Sequence, residues 1–507
     1  MTIKEKALAW WGEQIKNDNY VVSEKEMDRR QREYLRKNGY LFPVARGFSV
    51  VKRREDDGEE VFPLLYWPAV EKILSPYNWC LRSTSALQIL NGDQTPQKQL
   101  LVRTKEKTNK KVSLPISFSI TLQFDAGFDE RLVRKMEVSG RKIPVDIPER
   151  VLADVSRLES KDVLSFVGGT KFDTRLLDAI YAKKPKPVVF KRLIELALKS
   201  NRPDLAARIQ KTIEDHTNYQ VLTKTVKGSS LESSKPAVIS LPWVIRQEEQ
   251  SKEFEAILTS QLQQKIARIK KQPLGQLLEQ AREHKRYDTY HSTSLEGYRI
   301  TPEEVDALLS GKVPEDVKEE GTEYLEKLKN RMAIIGYSEA FDFILGQAET
   351  DFKKSHVTEE LIKDTYYNLF KPSVDAGIVD YYDLTPYRNM PVFIRGTRYA
   401  PPSYEKLPEL MASYEKLISE VRNPVVRAIL AHYFFVTIHP YLDGNGRTGR
   451  LLMNYCLLSA GYSWVTVRTE QREKYFEALT KAQLDDDILP FGKFIIAMLK
   501  ETSKSRS

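Results

Sequence analysis

The segment His439-Pro-Tyr-Leu-Asp-Gly-Asn-Gly-Arg-Thr-Gly-Arg450 constrains this 507-residue chain more than any other stretch. It places an imidazole, a carboxylate, two glycines flanking an asparagine, and two guanidiniums in one loop and the helix turn after it. Glycines let backbone N–H groups approach a phosphate, and a helix N-terminus attracts anions. Arginine binds phosphate oxygens bidentately, a carboxylate can hold hydrated Mg²⁺, and histidine accepts protons near neutral pH. The segment predicts a nucleotide-phosphate site with its own general base.

A second interpretation is a dinucleotide-binding turn, because Gly444-x-Gly446-x-x-Gly449 matches that fingerprint. The fingerprint requires its first glycine directly after a strand. Here the preceding segment, Pro424 to Ile438, begins with proline and is mostly apolar for fifteen residues, which is typical of a buried helix. The fingerprint also leaves the histidine, the aspartate and both arginines without a role. We therefore favour the phosphate site.

The same segment resembles the signature of Fic-domain proteins, H-P-F-x-D-G-N-G-R-x-x-R, with Tyr441 as its one departure. That family transfers AMP from ATP to a hydroxyl side chain of a protein target and releases pyrophosphate. The resemblance implies that His439 deprotonates the target Ser, Thr or Tyr, and that Asp443 holds Mg²⁺ between the α- and β-phosphates. It implies nucleotide-binding residues in the loop and first helix turn: Gly444, Asn445, Gly446, Arg447, Thr448, Gly449 and Arg450. The Doc-like branch, which phosphorylates its target, carries lysine at the position of Gly446, so the resemblance favours AMP transfer.

The stretch from Arg388 to Pro402 predicts a β-hairpin, because an apolar run is followed by a Gly396 turn and prolines. Upstream of the signature, it resembles the family's flap, which holds the target segment by strand addition. The alternative is an ordinary surface hairpin. The predicted target-binding residues are Pro391, Val392, Phe393 and Ile394.

Ser292-x-x-x-Glu296-Gly297 resembles the family's inhibitory motif, and its position N-terminal to the core resembles the class whose inhibitory helix lies in the same chain. We expect this helix over residues 274–297. The resemblance implies that Glu296 pairs with Arg450 and keeps the γ-phosphate out of its productive position. The alternative is a solvated glutamate before a helix-ending glycine.

A helix with apolar and polar faces is predicted from Arg472 to Gln483. In the family this region contacts adenine. The resemblance therefore makes Tyr475, Phe476 and Gln483 nucleotide-binding candidates, with core packing as the alternative for both aromatics. Gln483 stands where asparagine is more usual. We interpret His432 as a core histidine with a hydrogen-bond partner.

Charge divides the chain unevenly. Residues 1–240 carry 43 Lys and Arg against 31 Asp and Glu, a net charge of +12, which leaves −3 for residues 241–507 out of the total of +9. A basic region is typical of nucleic-acid contact, although a solvated surface is the simpler reading. No long uncharged apolar run occurs, and the two cysteines are far apart in sequence. We therefore expect a cytoplasmic protein that uses neither a membrane span nor a disulfide framework.

The N-terminal pattern predicts a helix followed by a hairpin. Ser23-Glu-Lys-Glu26 reads as a capping box that opens a helix to Asn38, and strands 41–45 and 48–53 flank Arg46-Gly47. Strands are also predicted at 99–103 and 112–123, and helices from 146 to 215. Residues 15–215 resemble the winged-helix antitoxin and regulator proteins of type IV abortive-infection systems.

These observations predict a multi-domain protein: an α/β winged-helix regulatory region, then an all-α Fic-like domain with a β-hairpin flap. The expected bounds are 1–80 for the winged helix, 81–215 for an α/β then helical region, 216–244 for a linker, and 245–501 for the Fic-like domain. The predicted activity is Mg²⁺- and ATP-dependent AMP transfer to a protein target, inhibited by Glu296. Two alternatives stay open: a DNA-binding antitoxin-like regulator that modifies itself, or an enzyme that removes AMP. Duplex DNA is a predicted partner of the basic half, and the oligomeric state is left open.

Overall fold

The computed structural model of the chain describes residues 2–155, 158, 160–181, 187–216, 241–311, 322–354, 356–384, 386–394 and 396–504. Most of the predicted linker, residues 217–240, lies outside them. The chain forms two compact units, one comprising Met1–Arg246 and Pro391–Ser403, the other Gln247–Met390 and Tyr404–Ser507. Within the described residues, no helix is long and apolar enough to cross a membrane.

The first unit begins with a small helix and sheet region. Its elements are α1 (Ile3–Lys16), β1 (Val21–Ser23), α2 (Arg29–Lys37), β2 (Leu41–Ala45) and β3 (Phe48–Val51). The strands form an antiparallel sheet in the order β1-β3-β2. The hairpin predicted around Arg46-Gly47 is present, and Gly47 has a φ of +84°, which favours glycine at the turn.

The helix start predicted at Ser23 is wrong. Val21 pairs with Val50 and Ser23 with Phe48, so this segment is a strand. The Ser23 hydroxyl accepts only from the Lys25 N–H, at 3.4 Å, over a single 3₁₀ turn. Asp28 is the N-cap of α2, and its carboxylate accepts from the Arg30 N–H at 2.8 Å.

The next elements are α3 (Gly58–Val61), α4 (Tyr66–Leu74), β4 (Trp79–Leu81), α5 (Ser83–Leu90), β5 (Gln99–Thr104), β6 (Lys110–Ser113), β7 (Ser119–Phe124), β8 (Val133–Val138) and β9 (Arg141–Asp146). These strands form a larger mixed sheet in the order β6-β7-β5-β4-β9-β8. The single strand predicted over 112–123 is two antiparallel strands, because Ile116 and Ser117 have φ of 55° and 61° after Pro115, which reverses the chain.

Helices complete the first unit, as the pattern after residue 146 predicts. They are α6 (Pro148–Val155), α7 (Lys161–Gly169), α8 (Thr174–Tyr181), α9 (Pro187–Lys199) and α10 (Pro203–His216). Their apolar faces join those of α4, α5 and the larger sheet in one hydrophobic core. An α/β region with sheets is therefore confirmed for this half, whereas its assignment as a winged helix stays a prediction.

The described residues of the segment predicted as a flap contain a turn at Gly396, with a φ of +80°, but no strand. The β-hairpin predicted there is therefore not seen in the described residues of the segment. The loop before β5 satisfies part of the segment instead: the Gln94 side chain donates to the Pro401 carbonyl at 2.8 Å, and Arg398 donates to the Pro96 carbonyl at 3.1 Å. The segment also carries three prolines, which lack the N–H that a strand ladder requires.

The second unit is helical in its described residues. Its elements are α11 (Pro242–Ala267, which begins in the first unit), α12 (Leu274–Leu295), α13 (Pro302–Leu309), α14 (Thr322–Thr350), α15 (Glu359–Asp375), α16 (Tyr381–Leu384), α17 (Leu407–Glu420), α18 (Pro424–Ile438), α19 (Asn445–Ser459), α20 (Arg472–Asp485) and α21 (Leu489–Lys504). The helix predicted at 424–438 has those bounds. Nearly all of α18 and α19 is buried, so these two helices form the centre of this unit.

Candidate functional site

The signature segment connects the two central helices. Asn423 caps α18, its carboxamide oxygen accepting from the Val425 and Val426 N–H groups at 3.0 and 3.3 Å. The helix ends at His439, which adopts a left-handed conformation with φ 53° and ψ 60°. A non-glycine residue rarely takes this conformation, so the surrounding loop must hold it there.

His439 presents one ring nitrogen as an acceptor. Its Nδ1 lies 3.2 Å from the Val436 carbonyl, a contact that requires the proton on Nδ1 and leaves Nε2 to accept. Burial lowers the pKa of His439 to about 4, with Arg388 adding to the effect and the Val436 carbonyl opposing it. The ring is therefore neutral at physiological pH, the form a general base needs.

The loop after His439 is closed by Asn445. Its side chain donates to the Tyr441 carbonyl at 2.8 Å and accepts from the Tyr441 N–H at 3.0 Å. The Tyr441 ring stacks on Tyr366 with centroids 3.7 Å apart, and its hydroxyl has no partner among the described residues. The Asn445 side chain thus shapes the loop, which leaves only its backbone N–H available for an anion.

Glycine is required where α19 begins. Gly444 has a φ of +78°, and a Cβ there would lie 2.6 Å from the Phe370 ring. The first N–H groups of α19 have no acceptor within the helix, and together with the helix dipole they form an anion-binding end. The structure thus places Gly444, Asn445 and Gly446 at a helix N-terminus beside a neutral histidine.

Asp443 and Arg447 form one pair, together with a tyrosine that the sequence analysis did not single out. Asp443 Oδ2 accepts from Arg447 at 3.0 Å and from the Tyr298 hydroxyl at 3.1 Å. Arg447 is 1 % exposed, and its Nε has no hydrogen-bond partner among the described residues. Tyr298 directly follows the inhibitory motif, but nothing in the spacing of one tyrosine indicates this contact.

Arg450 is held by the C-terminal end of α12. Its Nε donates to the Ser292 hydroxyl at 2.9 Å, and one terminal nitrogen donates to the Ser292 carbonyl at 2.8 Å and to Glu296 Oε1 at 2.7 Å. Glu296 caps α12, and Gly297 follows with a φ of +92°. The ion pair expected from the motif is therefore present, and the end of α12 binds the Arg450 guanidinium through both Ser292 and Glu296.

The Glu296 carboxylate reaches the start of α19. A Cβ on Gly446 would overlap Glu296 Oε1 and would lie 3.1 Å from a terminal nitrogen of Arg450. Glycine at 446 is thus needed for the carboxylate to approach this helix end. An anion of the chain itself occupies the place that the sequence assigns to phosphate oxygens.

A buried carboxylate two turns earlier fixes α12 and was missed by the sequence analysis. Asp288 accepts from the Tyr337 hydroxyl at 2.7 Å and from the Thr466 hydroxyl at 2.6 Å. Burial raises its pKa. Asp288, Ser292 and Glu296 recur every fourth residue, so they lie on one face of the helix. That spacing is the signal which sequence analysis can use.

Two predicted nucleotide contacts face the protein interior instead. A Cβ on Gly449 would lie 2.9 Å from Val436, so this glycine permits close packing of α19 on α18. Thr448 is fully buried, and its hydroxyl has no partner among the described residues.

The predicted adenine contacts are only partly open. Tyr475 is 1 % exposed, and its hydroxyl lies 2.7 Å from His432 Nε2, so it is a core residue rather than a stacking surface. His432 is thus a core histidine with a hydrogen-bond partner at Nε2, as expected, while its Nδ1 has no partner among the described residues. Phe476 is half-buried beneath the Arg472 guanidinium, which lies 4.8 Å from its ring centroid. The Gln483 amide donates to Thr437 at 3.3 Å.

The predicted flap residues belong to the first compact unit. Phe393 is 45 % exposed, whereas Pro391, Val392 and Ile394 are half-buried. An exposed aromatic side chain is compatible with a contact surface, but no strand edge is formed in the described part of this segment.

Residues 356–457 match the model of the Fic/DOC family, which confirms the resemblance for this part of the chain. The protein adenylyltransferase Fic of Drosophila yakuba is 32 % identical over 217 residues, which are 42 % of this chain and 40 % of that protein. Its counterpart in Drosophila mojavensis is 34 % identical over 223 residues, with 42 % and 39 % covered. The chain thus spans about two fifths of the length of these relatives.

Solved structures are similar as well. Fic-1 of C. elegans, residues 134–508, is 16 % identical with a TM-score of 0.39, and the match covers 70 % of this chain and 96 % of that one. A Fic-domain signalling protein from Bacteroides thetaiotaomicron is 22 % identical with a TM-score of 0.38, covering 50 % and 94 %.

Proposed function

We propose that this protein is a self-inhibited adenylyltransferase that moves AMP from Mg²⁺-ATP to a Ser, Thr or Tyr hydroxyl of a protein target. The observation that carries the proposal is a neutral histidine, with a free acceptor nitrogen, beside a glycine-lined helix N-terminus and two buried arginines. The identity of nearly a third with adenylyltransferases over the Fic region supports the same reaction class.

Each residue has a distinct role in this proposal. His439 Nε2 accepts the proton of the attacking hydroxyl, and the first N–H groups of α19 stabilise the charge that develops on the α-phosphate. Arg447 and Arg450 bind the outer phosphates and orient the pyrophosphate for departure. Because the reacting groups are held in place, most of the rate enhancement comes from positioning and from charge neutralisation.

Asp443 is the residue that would hold Mg²⁺. Its carboxylate is 55 % exposed, and Mg²⁺ at nucleotide sites uses one or two carboxylates together with phosphate oxygens and waters. When bound, the ion would offset charge on the phosphates.

The inhibited state follows from the ion pair between Glu296 and Arg450. While this ion pair is formed, the Glu296 carboxylate prevents a γ-phosphate from binding Arg450 and competes with phosphate for the N-terminus of α19. Removal of AMP from a modified protein would use the same residues, with Glu296 aligning water. The pairing favours the self-inhibited transferase, since it explains why glycine stands at 446.

The test is labelling of a lysate of the native host with ATP carrying the label on the α-phosphate, in parallel with ATP labelled on the γ-phosphate. The Glu296→Gly protein should label protein bands only from α-labelled ATP, and Glu296→Gly/Asp443→Ala should label none at any Mg²⁺ concentration. Glu296→Gly/His356→Ala is the matched control, because His356 is an exposed histidine outside the site. Labelling from γ-labelled ATP alone would instead identify phosphorylation.

A second proposal concerns duplex DNA. Arg29 and Arg30 on α2 and Arg46 at the hairpin turn are exposed, which suits contacts with a phosphate backbone. The full chain should bind duplex DNA with an affinity that falls steeply as salt rises. Arg30→Ala/Arg46→Ala should weaken binding more than the control Lys135→Ala/Lys142→Ala. Absence of binding at low salt would leave a protein partner for this half.

A further inference from the structure

Arg388 contacts both the signature loop and Met390, the residue before the predicted target-binding residues. Its Nε donates to the His439 carbonyl at 2.8 Å, and its backbone N–H donates to the Pro440 carbonyl at 2.8 Å. A terminal nitrogen donates to the Met390 carbonyl at 3.1 Å. The residue is 5 % exposed, so these hydrogen bonds are made away from bulk water. One side chain thus contacts both the end of α18 and the Met390 carbonyl.

The loop needs such a contact at this point. The His439 backbone is in the left-handed conformation, and a carbonyl at the end of a helix has no N–H partner within that helix. The backbone conformation is unfavourable for a residue with a Cβ and persists only where neighbours over-determine it. The Arg388 guanidinium donates to the His439 carbonyl, and the Arg388 backbone N–H donates to the next carbonyl. These two hydrogen bonds hold the loop backbone in this conformation.

The guanidinium also acts on the imidazole electrostatically. After burial, which is the largest cause, Arg388 contributes to the lowered pKa of His439. The groups that oppose it are the Val436 carbonyl, Glu296 and Asp443. Arg388 is therefore the cation that disfavours a protonated ring.

We propose that Arg388 is a positioning residue which holds the His439 imidazole in its reactive orientation. The inference rests on the proposed function for its kinetic consequence, but the geometry of His439 can be measured without turnover. Arg388 touches no reacting atom, so its effect passes through His439 and Met390.

The kinetic test compares Arg388→Gln and Arg388→Lys in the Glu296→Gly background. Arg388→Gln should lower kcat about 10- to 100-fold and raise KM for the protein target, with KM for ATP within about two-fold, because misplacement of about 1 Å costs that much. Arg388→Lys should lose part of kcat while its pH profile stays that of the parent, since the cation remains. The matched control is Arg427→Gln, because Arg427 donates to the Val421 carbonyl at the other end of α18.

Histidine NMR on the full-length protein tests the inference independently of transfer. His439, assigned through His439→Gln among six histidines, should show a protonated Nδ1 in the parent and in Arg427→Gln. In Arg388→Gln that resonance should broaden or shift, and the ring should titrate at a higher pH. An unchanged His439 resonance and titration in Arg388→Gln would overturn the inference, whether or not the chain transfers AMP. Equal loss of kcat in Arg427→Gln would overturn it too, because the effect would then be one of general stability.

Discussion

Both compact units bury arginines against carboxylates, but the two networks are built differently. In the first unit Arg103 donates to Asp146 at 3.1 Å and to Asp154 at 3.0 Å, and it also pairs with Asp125. Arg150 binds Asp125 as well. Several carboxylates therefore share two arginines, and the central one, Asp146, has no exposed surface.

In the second unit the two arginines of the signature segment are each paired with one carboxylate that solvent can reach. Glu296, which pairs with Arg450, is 23 % exposed, and Asp443, which pairs with Arg447, is 55 % exposed. Arg447 Nε has no hydrogen-bond partner among the described residues. Both arginines are nearly fully buried, so the exposed carboxylates are the replaceable members of these pairs.

The difference separates a structural network from an exchangeable one. Removing a buried partner leaves an uncompensated charge, which is strongly destabilising. Replacing an exposed carboxylate by a phosphate exchanges one anion for another and costs little desolvation. We therefore expect changes in the first network to alter stability and changes in the second to alter activity.

The largest expected effect tests whether the second network serves a reaction. His439→Ala, in the Glu296→Gly background, should lower AMP transfer about 10² to 10⁴-fold, which is the usual cost of removing a general base. ATP affinity should stay within about three-fold, because the base acts on the target hydroxyl and not on the phosphates. Transfer and nucleotide binding are measured on the same preparations. Transfer at the parental rate would show that His439 is not the base.

The counterpart in the first unit is Asp146→Ala. Leaving Arg103 and Arg150 without this buried partner should lower the free energy of unfolding by about 3 to 5 kcal/mol. AMP transfer per folded molecule should not change. Asp129→Asn serves as the control, because Asp129 pairs with a highly exposed arginine, and it should affect unfolding far less. Loss of transfer without loss of stability would contradict the division between the networks.

In contrast to Asp146→Ala, Glu296→Gly should change AMP transfer and leave the free energy of unfolding nearly unchanged. Freeing Arg450 for the γ-phosphate should raise AMP transfer about 10-fold to several hundred-fold, since a competing buried ion pair is worth a few kcal/mol. The unfolding transition should move little, because ATP or solvent replaces a partly exposed carboxylate. Any AMP-removing activity should fall.

Glu296→Gln sharpens the result, since it keeps the side chain's size and removes only its charge. It should activate as well, whereas Glu303→Gln, on the exposed side of α13, should not. Equal or lower transfer by folded Glu296→Gly would rule out inhibition by this residue.

The two units also differ in what their sequences predict. In the second unit the resemblance of two separate motifs to those of one family implied the pairing of Arg450 with Glu296 across 154 residues. It did not distinguish side chains that line the site from those that support it. Gly449 and Tyr475 face the core, a property set by how α18, α19 and α20 pack and not by the motif. Tyr298 acts through a tertiary contact that carries no local pattern, whereas Asp288 shares a four-residue spacing with Ser292 and Glu296.

In the first unit, local rules located elements but not all their boundaries. The capping box at Ser23 satisfies the pattern for a helix start, yet Ser23 lies in β1, which pairs with β3. Residues 112–123 have strand propensity on both sides of Pro115, and the chain reverses at Ile116 so that β6 pairs with β7. Non-local strand pairing thus overrides local propensity.

The smallest expected effect concerns buried histidines, which the structure describes in the second unit. Burial lowers the pKa of His432 to about 3, as it lowers that of His439 to about 4. Between the unfolded value near 6.5 and these folded values, the unfolded chain binds more protons, so stability is lost as pH falls through this window. Each histidine should lower the free energy of unfolding by about 1.4 kcal/mol at pH 5.5 relative to pH 7.5. His432→Gln should make the free energy of unfolding of this unit less sensitive to pH by that amount, while His356→Gln, an exposed control, should leave the parental dependence. A His432→Gln protein with the parent's full pH dependence would mean that the neutral buried ring does not set this limit.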